Sequence, residues 1–182
     1  MVAKVIGGVV GGIVLTGVIG WNMAAGLMFN EYESPFGVEE TVARIQHNIL
    51  ATGNGWALSG IRNPAKAVQA DGGNVLPVMM VEACSTKYSG PILKEDSVRY
   101  LSILMPCKVT VYKKNDGKVY IATMNAGLIG KMFGPLVGDI MGKVAQDQKK
   151  FLVMDPSKPA PQMIVPAPAA AGGSGGPAAS GC

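Results

Sequence analysis

The stretch from Val5 to Asn30 limits most strongly what this chain can fold into, because it contains no Asp, Glu, Lys or Arg. About 20 apolar residues are enough for a helix to cross a bilayer, whereas buried helices of globular domains are usually shorter. We therefore predict a membrane anchor over residues 1–27, with the transmembrane helix itself at Val5–Gly26. A signal peptide cleaved after Gly26 is the alternative, although the apolar run exceeds the usual hydrophobic region of such a peptide.

Small residues recur within the predicted anchor at the spacing that brings membrane helices close together. Gly8, Gly12 and Gly20 are separated by multiples of four residues, so they share one helical face. Lys4 precedes the helix and two glutamates follow it, which by the positive-inside rule leaves the N terminus in the cytoplasm. The sequence thus predicts a single-pass protein of the cell inner membrane, with its domain in the periplasm.

The remaining chain divides by composition into one domain and a tail. Residues 28–154 are enough for one compact domain with its own core. Residues 155–182 are rich in Pro, Ala, Gly and Ser and are predicted to be disordered. The net charge is +4, but the basic residues are scattered and no aromatic platform accompanies them, which argues against binding of nucleic acid.

Hydrophobic spacing within the domain predicts both helices and strands. Val38, Val42, Ile45 and Ile49 recur at helical spacing. Val75–Cys84 is apolar on both faces, as expected for a central strand. The pattern predicts a small α+β domain in which helices pack on an antiparallel or mixed sheet.

A hairpin is predicted around Asn115-Asp116-Gly117. A two-residue loop would place Val111 opposite Ala122, whereas a three-residue loop with Gly117 in the left-handed conformation places Val111 opposite Ile121. We predict the second register, because it gathers the valines and the isoleucine on one face.

Four more glycines recur at intervals of four residues in the last apolar segment, which runs from Asn125 to about Leu152. They are Gly130, Gly134, Gly138 and Gly142. Each glycine inside a helix costs about 1 kcal/mol relative to alanine, so we expect close packing against a neighbouring helix or sheet to offset that cost. Pro135 either kinks this helix or begins a new one.

The order of several short motifs resembles the DUF302 family over about Tyr32–Phe151. The motifs are Pro35-Phe36, Val81-Glu82-Ala83-Cys84, Met105-Pro106-Cys107 and Asp116-Gly117-Lys118-Val119. The resemblance implies a small α+β domain that is often dimeric and has no established activity. It also implies an association with proteins of sulfur metabolism, and it supplies no catalytic residues.

Cys84 and Cys107 are the candidate reactive residues, because each lies at the end of a predicted strand and the two meet if those strands are neighbours. Three interpretations stay open: inert buried thiols, a disulfide, or a site for Cu(I) or sulfane sulfur assisted by Glu82 and Met105. The single histidine, His47, is expected on the exposed side of its helix.

These observations favour a non-enzymatic function, with no cofactor indicated. We predict a membrane-anchored accessory or ligand-binding protein that belongs to a larger membrane complex or a homo-oligomer. The alternative is a thiol-dependent carrier of metal or sulfane sulfur that uses Cys84 and Cys107.

Overall fold

The computed structural model describes residues 26–165, which include the whole predicted domain. The predicted anchor with Gly8, Gly12 and Gly20 lies outside the described residues, as does the tail from position 166. Among the residues described, no helix combines the length and the apolar character needed to cross a bilayer.

The described chain forms a single antiparallel sheet with helices packed on it, which confirms the predicted α+β class. In chain order the elements are β1 (Phe29–Ser34), α1 (Val38–Thr52), β2 (Trp56–Arg62), α2 (Pro64–Ala70), β3 (Val78–Ser85), α3 (Thr86–Lys94), a 3₁₀ helix (Arg99–Leu104), β4 (Cys107–Lys113), β5 (Val119–Met124), α4 (Ala126–Lys131) and α5 (Pro135–Phe151). The strand order is β1-β5-β4-β3-β2, so β3 lies between two neighbours, as its apolar faces predicted.

The main core forms where α1 and α5 cover one face of the sheet. Val42, Ile45 and Ile49 follow the helical spacing of α1 and are completely buried. They belong to the same cluster as Val111 of β4 and Phe151 at the end of α5. Burial of this apolar stripe is what holds α1 on the sheet, at about 1.5–3 kcal/mol for each large side chain.

The hairpin between β4 and β5 adopts the register with the three-residue loop. Val111 is paired with Ile121, and Val109 is paired with Thr123. Gly117 has a φ of 82°, which is the left-handed conformation that this loop requires. The prediction of this register is confirmed.

The glycine-rich segment forms two helices, because the chain turns at Gly134 and α5 begins at Pro135. Gly134 has a φ of 90°, and a side chain there would meet no neighbouring atom. At Gly130, by contrast, an added Cβ would lie 2.3 Å from Cβ of Met141. Close packing therefore accounts for Gly130, while Gly134 provides the turn and Gly142 has open space beside it.

Residues 155–165 run along α1, although their composition placed them in the tail. The completely buried Gln46 donates to the carbonyl oxygen of Ile164 (2.5 Å) and accepts from its N–H (2.9 Å). Arg44 donates to the carbonyl oxygens of Asp155 and Lys158. His47 is exposed, as predicted, and its ring contacts the carbonyl oxygen of Gln162. We refer to residues 155–165 as the strap.

Candidate functional site

An apolar cavity of about 50 Å³ lies at the end of the sheet where β3 finishes and β4 begins. Its walls come from α3, the 3₁₀ helix, α4 and α5, and they include Ile92, Leu101, Phe133, Ile140 and Val144. The cavity is smaller than the roughly 150 Å³ that an engineered apolar cavity needs to hold a benzene ring. It therefore suits the end of an apolar chain better than a whole drug-sized molecule.

Three polar groups on the cavity wall, those of Ser85, Tyr88 and Trp56, form hydrogen bonds to residues outside the cavity lining. Ser85 donates its hydroxyl to the carbonyl oxygen of Asn54 (2.6 Å). The Tyr88 hydroxyl and the Trp56 indole N–H both donate to Asp147, at 2.9 and 3.0 Å. The surface that these residues leave facing the cavity is mainly carbon, which explains the apolar character of the space.

Asp147 of α5 is the most extensively hydrogen-bonded carboxylate beside the cavity. Besides Tyr88 and Trp56, it accepts from the Asn54 amide (3.0 Å) and forms an ion pair with Lys150 (2.7 Å). Burial raises the pKa of Asp147, but the hydrogen bonds from Lys150, Trp56, Asn54 and Tyr88 together lower it to about 2. This carboxylate stays ionised at neutral pH and fixes the orientation of both aromatic residues.

Three of the four residues predicted for the thiol site meet at the cavity. Cys84, Met105 and Cys107 all line it, and Cys107 begins β4 directly opposite Ala83 of β3. The strands that carry the two cysteines are neighbours, which is the condition that the sequence set for the two side chains to come together. Glu82 does not line the cavity.

Glu82 instead belongs to an ion pair near the edge of the sheet. It is nearly buried and accepts from Nε of Arg62 at 3.3 Å. Its carboxylate lies over Gly60, where an added Cβ would be 2.9 Å from the Glu82 oxygen. Burial of a carboxylate requires such a partner, and Arg62 supplies it outside the cavity.

The thiol of Cys107 does not have the properties of a reactive sulfur. It is free, so no disulfide links Cys84 to Cys107. Burial raises the pKa of the Cys107 thiol to about 11, an effect that the charge of Lys108 opposes only in part. Within residues 26–165, no three His, Cys, Asp or Glu side chains come together in a group that could hold a metal ion.

Asp147 belongs to no chemical motif, but its position in the sequence marks it as a buried carboxylate. Asp147 lies three residues after Val144 and four before Phe151, and both of these are buried on α5. It therefore occupies the apolar stripe of the helix, where a carboxylate needs partners. Lys150 lies one turn away on the same helix, but the other three donors, Asn54, Trp56 and Tyr88, lie 59 to 93 residues away in the sequence. Spacing alone could not reveal these three.

The fold and the site define a small α+β domain with one antiparallel sheet and an apolar cavity at one end. The family model for the domain of unknown function DUF302 matches residues 30–153. The chain belongs to the DUF302 family, as the order of its motifs indicated.

A solved structure agrees with this assignment at the level of the fold. The crystal structure of an uncharacterized conserved DUF302 protein from Bacillus stearothermophilus is 20% identical in sequence, with a TM-score of 0.60. The similarity covers 69% of this chain and 95% of that chain. No protein with a curated description matches the chain.

Proposed function

We propose that this protein is a membrane-anchored, non-enzymatic binding protein whose DUF302 domain takes the end of an apolar molecule into its cavity. The observation that supports the proposal is the apolar cavity beside β3 and β4, whose polar wall groups are bonded outward. Binding in such a space gains the free energy of removing apolar surface from water, at about 25 cal/mol per Å². Met105 and Met141 on the wall are flexible side chains that can adapt to the bound group.

Attachment to a membrane is the second part of the proposal. It is supported by the uncharged stretch from Val5 to Asn30, whose length is sufficient for one crossing. The periplasmic side for the domain and a place in a larger assembly or a homo-oligomer stay predictions from the sequence.

The alternative of a metal or sulfur carrier has less support. Such a carrier needs a thiolate at neutral pH, whereas burial raises the pKa of Cys107. Glu82, the carboxylate that was expected to assist it, is paired with Arg62 instead.

Decanoic acid is a suitable probe for the cavity, because it offers one unbranched apolar chain. The full-length protein, released from detergent micelles in the mass spectrometer, is expected to carry one decanoate. Leu104→Trp fills the space from its half-buried position on the wall and should abolish the adduct. Leu104→Phe provides a smaller change of the same kind.

Leu76→Trp is the matched control, because Leu76 is exposed in the segment that leads into the other end of β3. It should bind decanoate as the wild type does. Wild-type adduct levels in both folded Leu104 variants would contradict the cavity as the binding site.

A further inference from the structure

The cavity and the start of the described chain lie at the same end of the sheet. Phe29, the first residue of β1, pairs with Met124, the last residue of β5. Cys107, which lines the cavity, begins β4 and thus lies at this end as well. The segment that follows the predicted anchor therefore joins the domain at the cavity end and not at the hairpin end.

Large apolar side chains are exposed around the cavity at this end. Ile103 is 82% exposed, Met132 is 69%, Tyr100 is 61% and Leu136 is 43%. Tyr100 contacts the ring of Phe133, a cavity wall residue that follows Met132 directly, with 6.5 Å between ring centroids. Tyr100 and Ile103 are three residues apart in a 3₁₀ helix, so they share one side of it. We call Tyr100, Ile103, Met132 and Leu136 the apolar rim.

Helix α4 connects the rim to the N-terminal segment. Its capping residue, Asn125, donates its backbone N–H to Met28 (2.8 Å) and its side-chain amide to the carbonyl oxygen of Leu27 (3.0 Å). Leu27, Met28 and Leu128 are themselves exposed apolar residues. Leu128 and Met132 are four residues apart, which places them on the same side of α4. Exposed apolar side chains are therefore present on the N-terminal segment, on α4 and on the rim.

We propose that the apolar rim lies against the lipid bilayer, so that the cavity faces the membrane from which it takes its apolar ligand. This inference rests on the membrane attachment in the proposed function. Leu27, close to the start of the described chain, is bonded to Asn125, and a crossing by Val5–Gly26 would hold this end of the domain at the lipid surface. Exposed apolar side chains at a membrane surface insert among headgroups and acyl chains, and tyrosine is favoured at that depth.

The bilayer, and not a second copy of the chain, is the occupant that this geometry favours. An anchor next to the rim would hold the rim near lipid in every copy of the protein. A second copy could cover the rim only by displacing it from the bilayer.

Photochemical crosslinking to lipid tests the orientation directly. The full-length protein is reconstituted in vesicles of phosphatidylcholine and phosphatidylglycerol that contain a fluorescent phospholipid. The photoreactive residue p-benzoylphenylalanine replaces Leu136 in one variant, and in a matched control it replaces Leu76, which is 40% exposed. The whole length of β3, about 26 Å, separates Leu76 from the cavity end.

Several-fold more lipid adduct at position 136 than at position 76 is the expected result. If the variant at position 136 folds poorly, the same substitution at position 103 replaces it and should give the same result. Equal yields at the two ends, or adducts from position 136 mainly to a second protein chain, would overturn the inference. Extraction of the vesicles with alkaline carbonate tests separately whether the protein is integrated in the membrane. Release of the wild type would contradict the membrane attachment, whereas retention with equal adducts would contradict the rim alone.

Discussion

The indole N–H of Trp56, at the start of β2, donates a hydrogen bond of 3.0 Å to the carboxylate of Asp147, near the end of α5. This bond links β2, an edge strand of the sheet, to α5, which packs on the main core. Trp56 also packs edge to face against Phe151 of the same helix, with 5.0 Å between ring centroids. A single aromatic residue thus combines apolar packing and a charge-assisted hydrogen bond at the cavity wall.

Asp147→Asn is expected to destabilise the protein at neutral pH by about 2 kcal/mol, because it removes the charge that four donors stabilise. The pKa of Asp147 is about 2 in the folded protein and has its usual value of 3.8 in the unfolded chain. The ionised carboxylate therefore makes its full contribution to the free energy of unfolding above pH 3.8. The contribution is lost as the pH falls through about 2. Urea unfolding between pH 7 and pH 2 should show the two proteins converging in acid.

Asp139→Asn is the control on the same helix. Asp139 forms an exposed ion pair with Lys143 at 2.7 Å, with 66% of its side chain accessible. Exposed pairs of this kind contribute about 0–1 kcal/mol, so this variant should unfold nearly as the wild type does. An effect of Asp147→Asn that is no larger than the control, or that grows in acid, would contradict the role of the buried carboxylate.

Gly130→Ala should cost about 1–3 kcal/mol, because its new methyl group would overlap Met141 across the contact between α4 and α5. Gly142→Ala in α5 meets no atom within 4 Å and replaces glycine inside a helix. It should stabilise the protein by up to about 1 kcal/mol. Thermal unfolding of both variants measures the contrast, and equal effects would show that close packing does not require glycine at position 130.

Local signals predicted most of the regular elements and the hairpin, but they did not decide between a kink and a break at Gly134-Pro135. The register of the hairpin followed from Gly117 and from the alternation of Val109 and Val111 with polar neighbours, since a one-residue slip would turn that face to water. The turn at Gly134 could not be predicted with the same certainty as the hairpin. A glycine at helical spacing is compatible both with close packing of a continuous helix and with the end of that helix. Two structural features separate the roles: the close approach of Met141 to Gly130, and the φ of 90° at Gly134, which has no such neighbour.

The candidate site could be predicted only in part. The sequence places Cys84 and Cys107 at the ends of predicted strands, but only the pairing of β3 with β4 shows that these strands are neighbours. The cavity forms where side chains of α3, the 3₁₀ helix and α5 pack together. These contacts join elements that are distant in the sequence, so residue spacing within one element cannot predict them. Composition likewise misses the strap, since the buried Gln46 binds main-chain atoms that any residue type provides.

Cys107 is expected to react slowly with iodoacetamide in the folded protein, because burial raises its pKa to about 11 and the thiolate is the nucleophile. Peptide mapping by mass spectrometry would give the alkylation rate of this residue from pH 7 to pH 10. The rate should rise with each unit of pH and should not level off in this range. The same residue in urea serves as the control and should react faster at pH 8. A rate that levels off near pH 7 would contradict the raised pKa and would restore the carrier hypothesis.

Gln46→Ala should release the strap from α1. Its side-chain amide pairs with both main-chain polar groups of Ile164, much as a neighbouring strand would, and it is completely buried. Loss of a buried hydrogen-bonding partner costs about 1–3 kcal/mol. Hydrogen exchange should therefore become faster at the Ile164 amide, while the amides of β4 stay protected.

Gln69→Ala is the control for Gln46→Ala, because it removes a glutamine that does not contact the strap. Gln69 is exposed and donates one bond of 3.0 Å to the carbonyl oxygen of Val75. Because this bond joins the end of α2 to the loop before β3 and remains open to water, its loss should leave exchange at Ile164 unchanged. If Gln46→Ala left that exchange unchanged as well, the strap would be held by other contacts, of which the bonds from Arg44 to Asp155 and Lys158 are the next to remove.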